Sequence, residues 1–243
     1  MQELLKKLLN PYTIIARYLP AILSALPLLV IWYYLSDNFE LEGLASFILN
    51  IKLPNAGSIT LSLALLHFYS LAIREISKYF QRQYFTGKGA KGFPTTYLMT
   101  YSDSTFSDSY KDKYRKHISN RFNFELLSKE DESTDIIEAK KRLNEATGLV
   151  KAEIQGGYLV LAHNIGFGFF RNLIGGTIIS MPVCITGILL GWFLIENSKV
   201  MISILAIIFF PYLLLFLFRR SILVHNGEAY AQKLFDEFIN AQK

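Results

Sequence analysis

The chain offers few groups able to move protons, hold metals or attack a substrate: its 243 residues include four histidines and one cysteine. Arg220 and His225 stand five positions apart. At that spacing an arginine could hold a phosphate charge while a histidine moves a proton, as RNA cleavage requires. Arg219 and Arg220 also close an apolar stretch, where positive charge is expected in any case, so Arg220/His225 stands as a weak catalytic alternative. His67 sits among apolar residues, with Thr60, Ser62 and Tyr69 as nearby polar groups. An imidazole at such depth needs a hydrogen-bonding partner or a water-filled path, so His67 reads either as a bonded packing residue or as a pore-lining or pH-sensing one. His117 follows Lys113, Arg115 and Lys116 and reads as solvated, while Cys184 lies in an apolar stretch and excludes a disulfide framework or thiol metal cluster. No H-E-x-x-H and no G-x-S-x-G occurs, and the glycines of 87–92 lack the order of a phosphate loop. No metal and no cofactor is expected.

The elements that hold these residues are membrane helices. Segments 19–35, 57–73, 173–195 and 200–218 are apolar, contain no Asp, Glu, Lys or Arg, and have about the length needed to cross a ~30 Å hydrocarbon core. The expected fold is an all-α integral membrane protein with four transmembrane helices in two hairpins and a helical cytoplasmic insert. Residues 1–73 form the first hairpin behind a short amphipathic start, 74–165 the insert, 166–218 the second hairpin, and 219–243 a cytoplasmic C-terminal helix. Of the 25 basic residues, 23 fall on one side of this arrangement. Lys and Arg concentrate in cytoplasmic loops, so both termini and the insert are expected in the cytoplasm, at a bacterial inner membrane. The net charge of +5 then reflects orientation, and nucleic acid is not expected as a partner.

Within this frame, local signals set the detail. Pro20 and Pro27 remove backbone donors inside the first span, so a kink or a packed neighbour is expected there. The apolar patch 44–53 is too short to span. The second span continues as helix to about Tyr84, with Leu71, Ile76, Tyr79 and Phe80 as its apolar stripe and Arg74, Lys78 and Arg82 on the wet side. The insert is expected to hold helices over 107–122 and 134–161 around a charged turn at 126–133, and to extend the membrane helices as a stalk or small cap rather than fold separately. Gly175, Gly176, Gly187 and Gly191 allow close helix packing, either within the chain or between subunits.

Two further segments suggest gating or signal coupling. Pro94, Thr95 and Thr96 follow Gly92-Phe93, and Arg171 and Asn172 follow three phenylalanines and two glycines in 166–170, with a hinge expected over 166–176. Together with Arg17-Tyr18-Leu19-Pro20, the segments G-F-P-T-T-Y-L at 92–98 and H-N-I-G-F-G-F-F-R-N at 163–172 resemble a group of uncharacterised bacterial multi-span membrane proteins. That group carries a G-x-P-T-T segment and an E-N-x-x-Y-G-F-R-R-N-like segment in the same order. Here His163 replaces the acid, and Phe169-Phe170-Arg171 replaces F-R-R. Some such proteins sit in phage-defence loci, so the resemblance implies antiviral defence by association. The R-x4-H spacing separately resembles that of HEPN-type ribonucleases, with Ser221 a modest match to the polar residue that follows their arginine.

These readings converge on an oligomeric inner-membrane effector or sensor that permeabilises or depolarises the membrane. Its expected partners are membrane lipid, further copies of itself and a cytoplasmic protein encoded nearby. The alternatives are a membrane-anchored HEPN-like ribonuclease and a passive anchor that recruits a soluble enzyme.

Overall fold

Two prolines near the start of the chain shape its first helix. The computed structural model describes residues 10–38, 55–87, 90–154, 157–195 and 198–241, without the side chains of 36–38 and 55–59. The amphipathic start at 1–9 and the apolar patch 44–53 lie outside the described residues. Asn10 caps a single turn, Pro11–Thr13, accepting the Thr13 N–H at 2.6 Å. A π-wound segment, Ile14–Tyr18, leads into α1, Leu19–Asn38, with Pro27 inside it. Then follow α2 (Asn55–Thr86), α3 (Pro94–Tyr97), α4 (Asp108–Phe122), α5 (Lys129–Thr134), α6 (Ile136–Glu153), α7 (Tyr158–Phe193), α8 (Lys199–Leu217) and α9 (Arg219–Asn240). Among the described residues there is no strand.

Among the described residues, three helical stretches are long and apolar enough to cross a membrane: Pro11–Leu35, Tyr158–Phe193 and Lys199–Leu217. The protein is accordingly membrane-associated. The expected second span, 57–73, falls inside α2, which continues to Thr86, as the expected continuation of the helix to about Tyr84 requires.

The chain divides into two units. The first comprises Met1–Phe80 and Gly168–Arg220, the second Gln81–Phe167 and Ser221–Lys243. In the first unit large apolar side chains such as Phe68, Trp192, Ile207 and Phe210 point outward, while Ser24, Ser70, Ser77, Thr177 and Ser180 are buried. Packing and hydrogen bonding, not water exclusion, hold helices together in lipid, and small residues permit the close approach both require. A Cβ at Gly176 would come within 2.7 Å of Ser24 Cβ, and one at Gly187 within 2.5 Å of Ile31 Cδ1. One at Gly191 would meet Met201 Cε at 2.7 Å, and one at Gly175 the Ser77 hydroxyl. All four glycine faces are thus filled from within the chain. In the part of α2 that belongs to the first unit, the buried positions among the described side chains are Ser70, Ile73 and Ser77, whereas Tyr79 is exposed and Arg74 half-buried. Of the expected apolar stripe, Leu71, Ile76 and Phe80 are half-buried and Tyr79 is exposed, while Arg82 on the expected wet side is exposed.

The second unit is built like a small soluble helical domain, with α9 as part of it. Tyr114 and Ile118 from α4, Leu143 and Val150 from α6, and Phe235 and Phe238 from α9 form one buried cluster. The insert therefore has a core of its own, completed by the C-terminal helix, instead of merely extending the membrane helices. The expected helix at 107–122 is present as α4. Ser107 accepts the Tyr110 N–H at 3.3 Å, and Asn123, with φ 50°, ends it in the left-handed conformation. The charged turn expected at 126–133 instead winds into α5, because Ser128 accepts the Asp131 N–H and three acids occupy the first turn. The helix expected over 134–161 is two helices. Asp135 caps α6, which ends at Glu153; α7 starts at Tyr158, where Glu237 accepts the Val160 N–H at 3.0 Å.

Candidate functional site

Proline at position 27 cannot donate to the carbonyl four residues back, Leu23, and Pro20 cannot donate to Ala16. Side chains from other helices take both carbonyls. Tyr212 of α8 donates its hydroxyl to Leu23 O at 2.5 Å, and Asn172 of α7 donates its amide to Ala16 O at 2.5 Å. The packed neighbours expected at these prolines are thereby identified. A freed carbonyl in a membrane helix is tolerated only when a neighbour satisfies it, and here each has its own donor.

The Asn172–Ala16 bond has a consequence for charge. It draws Arg17 and Arg171, each the chain neighbour of one partner, into the same region. Arg171 Nε donates to Asn172 Oδ1 at 3.4 Å, and Arg171 also shares a side-chain hydrogen bond with Tyr12. The Arg17 guanidinium lies 5.3 Å from the centre of the Tyr12 ring. Arg17 and Arg74 both bear electrostatically on Arg171. Gly168, one turn before Asn172, admits Tyr12: a Cβ there would lie 3.2 Å from its hydroxyl. Three arginines and the Tyr12 ring thus gather where α7 leaves its apolar stretch. The expected hinge at 166–176 is continuous helix.

His67 belongs to the same unit, and its ring Nδ1 lies 3.1 Å from the Tyr18 hydroxyl. The partner comes from the segment before α1, not from Thr60, Ser62 or Tyr69 as the sequence neighbourhood suggests. The two rings meet edge-on at 6.1 Å.

Pro94, Thr95 and Thr96 lie elsewhere, buried in the second unit within α3. The Thr147 hydroxyl donates to Thr95 O at 3.0 Å, fastening α3 to α6. Tyr97, next along, donates to the Glu228 carboxylate, and burial together with that carboxylate raises its phenol well above the usual range. The gating candidates thus fall into two groups, His67, Arg171 and Asn172 in the first unit and Pro94, Thr95 and Thr96 in the second. Arg220 and His225 are both exposed. Positions five apart on a helix diverge by about 140°, so α9 by itself does not converge them on one substrate.

The charge cluster of the second unit is hidden in the sequence. Arg115, in a basic run of the sequence, is largely withdrawn from water and paired with Glu132 at 2.7 Å, with side-chain exposures of 10% and 3%. It also donates to Met99 O at 2.9 Å and Leu127 O at 3.2 Å, and lies 4.4 Å from the centre of the Tyr101 ring. Glu132 accepts the Tyr101 N–H at 2.6 Å. Burial and a hydrogen bond to Asp112 push the Tyr101 phenol up to about 12. A shallow cleft of about 320 Å³ borders this cluster, lined by Tyr101, Ser102, Lys129, Glu132, Ser133 and Ile136. Among the described residues no group of histidine, cysteine and carboxylate side chains could hold a metal ion. Comparison with family models, with curated proteins and with solved structures finds no match to this chain.

Proposed function

We propose that the protein is a bacterial inner-membrane effector or sensor component in which a cytoplasmic helical unit controls a membrane unit. In this reading four spans form two hairpins, with both termini in the cytoplasm. The output is permeabilisation or depolarisation by several copies acting together, in the antiviral setting that the family resemblance implies. One observation carries the reading. Helices α2 and α7 are 32 and 36 residues long, whereas a bilayer crossing takes about 20, and the division between the two units falls inside both. A change in the second unit therefore has continuous helix along which to reach the membrane. The apolar stretch 57–73 within α2 supplies the fourth span, and the excess of basic residues supports the orientation.

Polar side chains of the spans favour action by more than one copy. Thr177 and Ser180 donate to backbone carbonyls of the same chain, as do Asn172 and Tyr212. These groups are occupied in packing, so a conducting path is assigned to faces between copies. The test is membrane potential and dye entry in cells expressing the protein, alone and with its genomic neighbours. The comparison is a variant with three glycines inserted between Phe80 and Gln81. Depolarisation that disappears in the insertion variant, at equal membrane abundance, supports the reading. The absence of depolarisation under every condition refutes it.

A further inference from the structure

The arginine cluster of the first unit is more positive than packing requires. Arg17 and Arg74 both bear electrostatically on Arg171 at the end of an apolar stretch, and each of the three is at least partly withdrawn from water. Guanidinium groups stay charged at any physiological pH, so the cluster cannot relieve repulsion by releasing a proton. The Tyr12 ring offsets part of the Arg17 charge. Yet Arg17 Nε is buried without a hydrogen-bond partner among the described residues. A buried donor on a charged group left unsatisfied is costly, and an anion would satisfy it.

The backbone holds the cluster in place. Asn172 ties α7 to the segment bearing Arg17. Gly175, one turn on from Arg171, lets α2 approach so closely that an added Cβ would stand 2.9 Å from Ile73 O, the residue before Arg74. The three arginines therefore come from three separate segments fixed by two specific contacts.

We infer that Arg17, Arg74 and Arg171 form a binding site for a phosphate-bearing anion at the membrane edge. Guanidinium forks match phosphate oxygens in pairs, and basic pockets between membrane helices take anionic headgroups. The bilayer carries phosphate at both faces, so the assignment needs no choice of orientation and does not rest on the effector reading. The anion is either the headgroup of an acidic phospholipid such as phosphatidylglycerol or a soluble phosphate compound.

The intact protein in mild detergent is tested by native mass spectrometry with phosphatidylglycerol, phosphatidylcholine, glycerol phosphate and inorganic phosphate in separate arms. Each arm compares the wild type with Arg17→Gln, Arg74→Gln and, as a charge control in the second unit, Lys233→Gln. Circular dichroism confirms equal helix content. Loss of one charged donor predicts weaker retention by about ten-fold or more. Retention of phosphatidylglycerol over phosphatidylcholine, lost in the two arginine variants and kept in Lys233→Gln, supports the site with a lipid occupant. The same residue dependence for the soluble phosphates supports it with a soluble occupant. Should Arg17→Gln fail to fold, Arg74→Gln alone decides. Equal retention of every probe by wild type and folded arginine variants, or retention of none, overturns the inference.

Discussion

Tyr212→Phe removes one oxygen from α8 and takes from Leu23 O the hydroxyl that serves it at 2.5 Å. Pro27 has no N–H to offer in compensation. Leaving a buried acceptor unsatisfied costs about 1–3 kcal/mol, whereas hydrogen bonds between membrane helices average about 0.6 and reach about 1.7 kcal/mol. The substitution is therefore expected to cost about 1–2 kcal/mol. In a Pro27→Ala background the restored amide can bond to Leu23 O, and the same substitution should cost about 0.5 kcal/mol or less. The coupling of about 1 kcal/mol exceeds the ~0.3–0.5 kcal/mol scatter of independent sites. The assay is unfolding of the four proteins in mixed micelles by increasing SDS, followed by circular dichroism. Equal costs in the two backgrounds would refute the claim that Tyr212 serves the carbonyl freed by Pro27. The pair Asn172→Leu and Pro20→Ala provides a second cycle on Ala16 O.

Three further outcomes are expected. Glu132→Ala, which strands the buried Arg115 charge, should destabilise the protein by about 3–5 kcal/mol in thermal or denaturant unfolding. The Lys129 hydrogen bond, at 2.6 Å, holds the Asp108 carboxyl below the usual carboxylate range. Its stabilising contribution is thus present above the unfolded-state value of about 4 and is lost as pH falls through the lower folded-state value. NMR titration of Asp108 should show the depressed midpoint, and Lys129→Gln should return it upward. Gly187→Val places branched carbon where even a Cβ lies 2.5 Å from Ile31 and 2.6 Å from Leu205. It should cost about 1–3 kcal/mol in the same SDS assay, whereas Gly166→Ala, with open space at its Cβ, should cost far less.

Much of the architecture was legible because it follows from local rules. The apolar stretches at 173–195 and 200–218 lie almost wholly within α7 and α8, and that at 19–35 within α1. Ser107 capped α4 as expected, since a cap reaches only three residues along the chain. Local signals failed where the tertiary environment chose between alternatives. Apolar periodicity did not single out the buried positions of α2, where Ser70 and Ser77 accompany Ile73. Arg115 stands in the chain between Lys113 and Lys116 with nothing to mark a partner, yet Glu132 and three backbone and ring contacts draw it inside.

The sequence by itself determined that the chain is helical and membrane-associated, because hydropathy and capping act over a few neighbouring residues. It also pointed to Pro20 and Pro27 as places where a backbone carbonyl would lack a donor. Only the tertiary structure decided which groups answer them. Asn172 lies 156 residues from Ala16, and Tyr212 lies 189 from Leu23. No periodic pattern encodes a partner at such separation, since it exists only once the helices have packed. The same holds for Arg17, Arg74 and Arg171, three isolated charges in the chain that become one electrostatic site when two close contacts bring their helices together.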